Sequence, residues 1–235
     1  MACREWLLER LSEDVPTLVA MDFGFGMPWN TDSAVFGVDG WRKMVGSIGE
    51  RYRQNGTARA TAQAINDDER FEGHGPYRFD ENRSDFRFYL DHGVPYFRLT
   101  ELMTPQAISQ WYLGSGGTVG FHTITGLAAI DHLLSLRDAG EIDFIVWPQE
   151  TFLPDGQKHV LVESYPSICP KLDDYGPCRD SHQEDAWKVL QRLVAARSDG
   201  SLPSLFTIDE QSFGRIDGSG FQEQIQFEGF IFGLR

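Results

Sequence analysis

The feature that most constrains the fold is an apolar segment near the N-terminus that stops at one acidic residue. The segment covers residues 17–21, Asp22 ends it, and a glycine-rich stretch follows up to Pro28. A short apolar segment between turn-forming residues predicts a strand that is buried on both faces of a sheet. Asp22 would then lie at the carboxyl end of an inner strand, where open α/β sheets bind their ligands. A carboxylate in that position either caps the turn or binds a ligand, and this segment supports both interpretations equally.

Two further strands are predicted in the second half of the chain. One covers residues 142–147 and the other covers residues 158–163, and a proline closely follows each. The later strand again ends at a single acid, Glu163. If it lies parallel to the first strand and beside it, Asp22 and Glu163 come close together in space.

Three helices are predicted from the spacing of apolar residues, over residues 4–11, 124–139 and 180–194. The tail over residues 224–234 is predicted to form a strand pair or a bend around Gly229. Strands that alternate with helices in this way indicate an α/β fold.

The helix over residues 180–194 carries the remaining candidate residues. Ser181 and Glu184 have the spacing of a capping box. Apolar side chains at helical spacing are expected to face the core: Ala186, Val189, Leu190 and Leu193. His182 and Asp185 border this stripe, so we expect both to face the sheet. The simpler alternatives are helix-dipole stabilisation by Asp185 and a hydrogen-bonded, partly buried His182.

Residues 30–118 differ from the rest of the chain. Apolar periodicity is poor there, and residues 51–100 hold eight arginines, no lysine and many aromatic residues. Such a mixture can form a surface for nucleic acid. It can equally form an insertion held together by stacking and ion pairs, and this is favoured because the same window holds eight acidic residues. We expect one domain over residues 1–235 with a large irregular insertion at about 30–118.

Composition limits the classes of partner. The chain has 235 residues, which suits one domain, and a formal net charge of −14, which repels nucleic acid unless cations or a local basic patch intervene. No apolar run reaches membrane-spanning length and no signal-peptide pattern is present, so we expect a cytoplasmic protein with no membrane partner. The cysteines fit no zinc pattern, and Cys169 and Cys178 are expected to be free thiols.

Four short motifs, taken together, resemble a known family: Met-Asp-Phe-Gly-Phe-Gly-Met-Pro at Asp22, Glu-Ser-Tyr-Pro at Glu163, Glu-Asp-Ala at Asp185 and Glu-Gly-Phe-Ile-Phe-Gly from Glu228. They resemble the family numbered 429 among the domains of unknown function, a predicted nuclease family with the ribonuclease H-like fold. The resemblance covers residues 15–29, 117–136, 142–194 and the tail. It implies an α/β fold in which a mixed sheet is flanked by helices. The family's first strands, which bear a Gly-x-Asp motif, have no counterpart at the start of this sequence, so we expect a version of the sheet without them.

The resemblance also implies a catalytic site. In ribonuclease H-like nucleases, clustered carboxylates hold two divalent cations, one of which activates water while the other stabilises the leaving oxygen. Carried over residue by residue, the metal ligands and catalytic acids are Asp22, Glu163 and Asp185, and the cation is Mg²⁺ or Mn²⁺. We add His182, beside Asp185 on the same predicted helix, as a fourth candidate catalytic residue.

Two functions are compatible with these observations. The first is a metal-dependent hydrolase of phosphodiester or phosphoryl bonds that acts on nucleic acid or on a phosphorylated small molecule. The alternative is a non-catalytic ribonuclease H-like module that binds a ligand or a protein partner. In that case the three acids are turn and helix caps, and the region rich in arginine and aromatic residues is the recognition surface. A serine hydrolase is not supported, because the sequence contains no Gly-x-Ser-x-Gly motif.

Overall fold

The computed structural model describes residues 3–79, 86–104, 106–114, 118–176, 178–209 and 218–234. It combines helices with a small parallel sheet, which confirms the α/β class. The strands are β1 (Leu18–Met21), β2 (Phe144–Trp147) and β3 (His159–Glu163). The α-helices are α1 (Cys3–Leu11), α2 (Trp41–Asn55), α3 (Ala58–Asn66), α4 (Arg87–His92), α5 (Leu99–Leu102), α6 (Val119–Asp138), α7 (Ser181–Ser198) and α8 (Gly218–Glu228).

The sheet consists of three parallel strands in the order β1-β3-β2. All three correspond to predicted strands, and every residue of the central strand β3 is buried, as expected for a strand covered on both faces. Met21 pairs with Glu163 at the carboxyl ends of β1 and β3. Both strands therefore deliver their acids to the same edge of the sheet. All strand pairs among the described residues are parallel, so the mixed sheet implied by the resemblance is not seen there.

The larger of two hydrophobic cores includes α2 and α6, which pack against each other. Two of the helices around it, α2 and α3, lie within residues 30–118, where the sequence predicts irregular structure. The apolar pattern of α2 is diluted by Gly46 and Gly49, and both glycines face Asp131 of α6. The close approach of the two helices requires a glycine at position 49, where a methyl group would overlap the Asp131 carboxylate.

Replacement of Gly49 by alanine should lower the free energy of unfolding by about 1–3 kcal/mol. The added methyl group would overlap the Asp131 carboxylate, which Arg53 holds at 2.7 Å. Gly46→Ala is the matched control, because its methyl group would lie 3.7 Å from the same carboxylate, an ordinary contact. Urea unfolding of both variants measures the effect. Equal stabilities for the two variants would contradict the close packing at Gly49.

The C-terminal tail differs from its prediction. Residues 224–228 belong to helix α8, so the predicted strand pair is wrong, although the chain does turn at Gly229, where φ is +78°. Ile225 and Phe227 alternate as they would in a strand, but Phe221 and Ile225 are both buried and four residues apart, which is helical spacing. After the turn, Ile231 forms a single parallel bridge with Glu163. The tail thereby enters the second hydrophobic core, which lies beside β3.

Helix α7 is confirmed as a helix, but the predicted buried stripe on it is wrong. Ala186 is exposed and Leu190 is 47% exposed, whereas Ala196 near the end of the helix is buried. The main contacts of α7 are with two short 3₁₀ turns, Pro166–Ile168 and Leu202–Phe206. The helix therefore lies at the side of the domain and covers only part of the core.

Arginine side chains in the central region stack on aromatic rings of the same region. Arg78 lies over Phe86 with 4.7 Å from the guanidinium carbon to the ring centroid, and Arg59 lies over Phe79 at 5.0 Å. These stacks use the cations and the rings within the fold. They favour internal stapling over a nucleic-acid surface.

Helix α6 is long and apolar enough, by composition alone, to cross a membrane. Half of its most apolar window is buried, and buried core helices pass the same test. Cys169 and Cys178, which precede α7, are free thiols.

Candidate functional site

Asp22 lies at the carboxyl edge of the sheet, and four other titratable side chains influence its charge. Burial raises the pKa of Asp22 above its ordinary value, and the negative charge of Asp185 raises it further. Glu163 adds a smaller rise, whereas His122 and His182 lower the pKa of Asp22. One side of Asp22 remains open to solvent. The structure therefore brings the four candidate residues of the sequence analysis into one region and adds His122, from the first turn of α6.

Glu163 is buried and fully engaged by other protein groups. Its Oε1 accepts a hydrogen bond from Arg98 Nη2 at 2.6 Å, and its Oε2 accepts from Arg98 Nη1 at 2.8 Å. The backbone N–H of Phe25, in the glycine-rich stretch after β1, donates to Oε2 at 2.9 Å. Glu163 is thus a partner of a guanidinium group and of the turn after β1.

Arg98 is 1% exposed and connects three buried glutamates. Besides binding Glu163 in bidentate fashion, its Nε donates to Glu101 at 2.9 Å and its Nη1 donates to the backbone carbonyl of Glu228 at 2.9 Å. Charge-assisted bidentate pairs of this kind are among the stronger hydrogen bonds in proteins. Arg98 therefore fixes the edge of the sheet to the start of α5 and to the end of α8.

The carboxylate of Glu228 clamps three segments of the chain together. Its Oε1 accepts from the backbone N–H of Trp29 at 2.9 Å, and its Oε2 accepts from the backbone N–H of Leu99 at 2.6 Å. Gln224, one turn earlier on α8, donates to Oε1 at 2.9 Å. Burial raises the pKa of Glu228 to about 7, although these hydrogen bonds lower it.

Asp185 and His182 reach the site from the first turns of α7. The helix is capped by Asp180, whose side chain accepts a hydrogen bond from the backbone N–H of Gln183 at 2.9 Å, so the predicted capping box is wrong. Asp185 is half-buried and pairs with Lys188 at 2.5 Å. His182 is exposed, which contradicts the expectation that it faces the core.

A small cavity of about 60 Å³ opens beside Asp22. Its polar lining comes from both halves of the chain: Asp22, Arg98, Glu101, Gln110, His122, Glu163 and Ser164. Ile108, which is 45% exposed, lies at its rim. Of the predicted site residues, Asp22 and Glu163 line this cavity, whereas Asp185 and His182 do not.

The two-cation arrangement implied by the resemblance does not fit these side chains. Both oxygens of Glu163 bind Arg98, so this carboxylate cannot also serve as an open metal ligand. In the part of the chain that the structure describes, no three acidic, histidine or cysteine side chains converge as a ready-made metal centre. The negative charge of Asp185 acts on Asp22. One oxygen of Asp185 pairs with Lys188, which leaves its other oxygen as a donor. Mg²⁺ commonly uses one or two carboxylates and several waters. A single cation therefore fits the donor set, whereas a pair that includes Glu163 does not.

Sequence reasoning missed four residues of the site: Arg98, Glu101, Gln110 and His122. Arg98 and Glu101 lie in a stretch with no recognisable motif, and their partners are distant in sequence. Glu101 carries one local signal, because its Oε2 accepts from the backbone N–H of Arg98 three residues earlier, as a capping residue does.

Comparisons of the chain with protein families, with curated proteins and with solved structures find no match. The chemistry of the site therefore follows from its own residues.

Proposed function

We propose that this protein is a divalent-metal-dependent hydrolase of phosphate esters. The observation that carries the proposal is the position of Asp22 at the carboxyl end of the parallel strands, where it lines a cavity with His122. The charges of Asp185 and His182 also act on Asp22 there. Ligand sites of α/β proteins occur at this edge. A bound cation would offset the repulsion between the negative charges of Asp22 and Asp185.

The residues of the site fall into two groups: those that would contact the metal ion or the substrate, and those that hold other residues of the site in position. Asp22 and Asp185 would hold one Mg²⁺ or Mn²⁺, which would supply positive charge for the phosphoryl oxygens and for an attacking water. His122 and His182 supply the imidazole groups that accept and donate protons in the proposed reaction. Glu163 is a positioning residue, since it orients Arg98 and the turn that follows β1.

Saturating Mn²⁺ should raise the melting temperature of the wild-type protein, and Asp22→Asn should abolish the rise. Binding to the native state alone stabilises it by about 2.7 kcal/mol when the cation is at 100 times its Kd. The measurement is thermal unfolding at increasing Mn²⁺, combined with electron paramagnetic resonance of free Mn²⁺ to count bound ions. We expect one ion per chain.

The matched control is Asp143→Asn. Asp143 is an exposed acid just before β2, at the opposite edge of the sheet, where it pairs with Lys158 at 2.9 Å. This variant should retain the full response to Mn²⁺. A wild-type protein that binds no Mn²⁺ would reject the hydrolase proposal in favour of the non-catalytic binding module.

A further inference from the structure

Two glycines allow close packing around the turn that follows Asp22. A methyl group added to Gly24 would lie 2.7 Å from the amide oxygen of Gln110, which is closer than side chains approach one another. Gly126 belongs to α6, and the ring of Phe23 occupies the space that a methyl group on Gly126 would need. The turn therefore packs on α6 through Phe23 and on Gln110 through Gly24.

Gln110 joins this turn to α6. It is 2% exposed, and its amide oxygen accepts a hydrogen bond from the hydroxyl group of Thr123, a completely buried residue of α6. Its amide nitrogen donates to Glu101 at 2.6 Å, and Glu101 in turn pairs with Arg98. The amide group of Gln110 is thus bonded at both ends while it packs on Gly24. A side chain bonded in this way holds the segments around it in one arrangement.

His122 lies on the part of α6 that these contacts hold. It directly precedes Thr123 and lies four residues before Gly126, which is the spacing of neighbours on one helix face. His122 and Asp22 line the same cavity, and the charge of His122 acts on Asp22. The side chain of His122 is itself exposed to solvent. The position of α6 against the turn therefore sets the distance between its ring and Asp22.

We propose that Gln110 is a positioning residue of the site, which holds α6 against the turn after β1 and thereby places His122 beside Asp22. This role rests on the proposed hydrolase function, in which His122 transfers protons near Asp22. Catalysis is sensitive to such placement, because a displacement of about 1 Å can lower a rate about a hundredfold. The hydrogen bond from Thr123 is the link that reaches α6, so its loss should loosen the placement of His122.

Thr123→Val tests this link, because it removes the hydroxyl group and nearly preserves the shape of the side chain. Thr61→Val is the matched control. Thr61 is also completely buried in a helix, its hydroxyl group donates to the carbonyl oxygen of Thr57 at 2.8 Å, and it does not line the cavity. Each variant loses one buried hydrogen bond, so both should show a similar fall in melting temperature. A change that appears in Thr123→Val alone is then due to position and not to a general loss of stability.

Nuclear magnetic resonance of the full chain without added metal gives the first readout. The wild-type protein should show nuclear Overhauser effects from the Phe23 ring to the Hα protons of Gly126 and from the His122 ring to the β-protons of Asp22. Both effects should weaken in Thr123→Val and stay unchanged in Thr61→Val. Gln110→Met, which keeps the length of the side chain without its amide group, should weaken them as Thr123→Val does. Effects that are absent from the wild type, or equal in all four proteins, would overturn the proposal.

Hydrolysis of 4-nitrophenyl phosphate in the presence of Mg²⁺ gives the second readout. Thr123→Val should lower kcat at least about tenfold with little change in KM, because a correctly placed acid–base group contributes about 10²–10⁴-fold. Thr61→Val should retain the wild-type kcat. An unchanged kcat for Thr123→Val would overturn the positioning role and leave the hydrolase standing. If the wild-type protein hydrolyses no ester, the hydrolase function is rejected, and the Overhauser effects alone decide whether Gln110 places His122 beside Asp22.

Discussion

Replacement of Arg98 by methionine is expected to lower the free energy of unfolding by about 3–5 kcal/mol. Arg98 is 1% exposed, and the carboxylates of Glu163 and Glu101 that it pairs with are buried as well. Methionine preserves much of the volume but leaves two buried acids without their cation. Such acids must either remain charged in a poor solvent or take up protons at neutral pH, and both cost free energy.

Urea unfolding at pH 7 measures this loss, and Arg42→Met is the matched control. Arg42 pairs with Asp138 at 2.6 Å, but its side chain is 40% exposed. Exposed pairs typically contribute less than about 1 kcal/mol. In the Arg98→Met background, Glu163→Gln should recover part of the loss, because it removes one of the unpaired charges. A loss below about 1 kcal/mol for Arg98→Met would contradict the central role assigned to this guanidinium.

Glu228 is expected to make the stability fall as the pH rises from 5 to 8. Its pKa is about 7 in the fold, against 4.5 for an ordinary glutamate, and the cause of the rise is burial. Between these two values the native state holds a proton that the unfolded state has lost, so raising the pH favours unfolding. A shift of this size corresponds to about 3 kcal/mol, fully present below pH 4.5 and lost above pH 7. Burial also raises the pKa of Glu101, which changes stability in the same direction.

The comparison of the wild-type protein with Glu228→Gln isolates this contribution. Urea unfolding of both proteins at pH 5, 6, 7 and 8 gives the dependence of the free energy of unfolding on pH. The variant should show the shallower fall, because glutamine does not titrate. Its overall stability should be about 1 kcal/mol lower at pH 5, since one hydrogen bond to the backbone at Trp29 or Leu99 is lost. Parallel curves for the two proteins would exclude Glu228 as the source.

Local sequence patterns predicted those parts of the fold in which neighbouring residues decide the structure. The three strands of the sheet are short apolar segments that end at an acid or a proline, and these signals are independent of the rest of the chain. Helix α6 could also be predicted from its local sequence alone, because its apolar residues recur at helical spacing. The tail could not be predicted from its local pattern. Ile225 and Phe227 alternate as in a strand, but the burial of Phe221 and Ile225 favours helix α8.

Of the candidate site, only the residues at the ends of the strands could be predicted from the sequence. Asp22 and Glu163 follow from their positions at the ends of β1 and β3, and their shared edge follows from parallel pairing. Arg98 could not be found in this way, because its main partner lies 65 residues further along the chain. The sequence predicted that the carboxylate of Glu163 could bind a metal ion. Only the tertiary structure reveals that the guanidinium group of Arg98 already pairs with it.

The second hydrophobic core contains Phe230, Ile231 and Phe232, and the backbone N–H of Phe232 donates to the carbonyl of Glu163 at 2.8 Å. During translation these residues are still inside the ribosome when the three strands have already emerged. Until they emerge, the apolar flank of β3 that these residues cover is exposed on the nascent chain, and chaperones or other incompletely folded chains can bind to it. Folding of this flank can finish only after residues 230–232 have left the ribosome, so their late position in the chain sets how long the flank stays exposed.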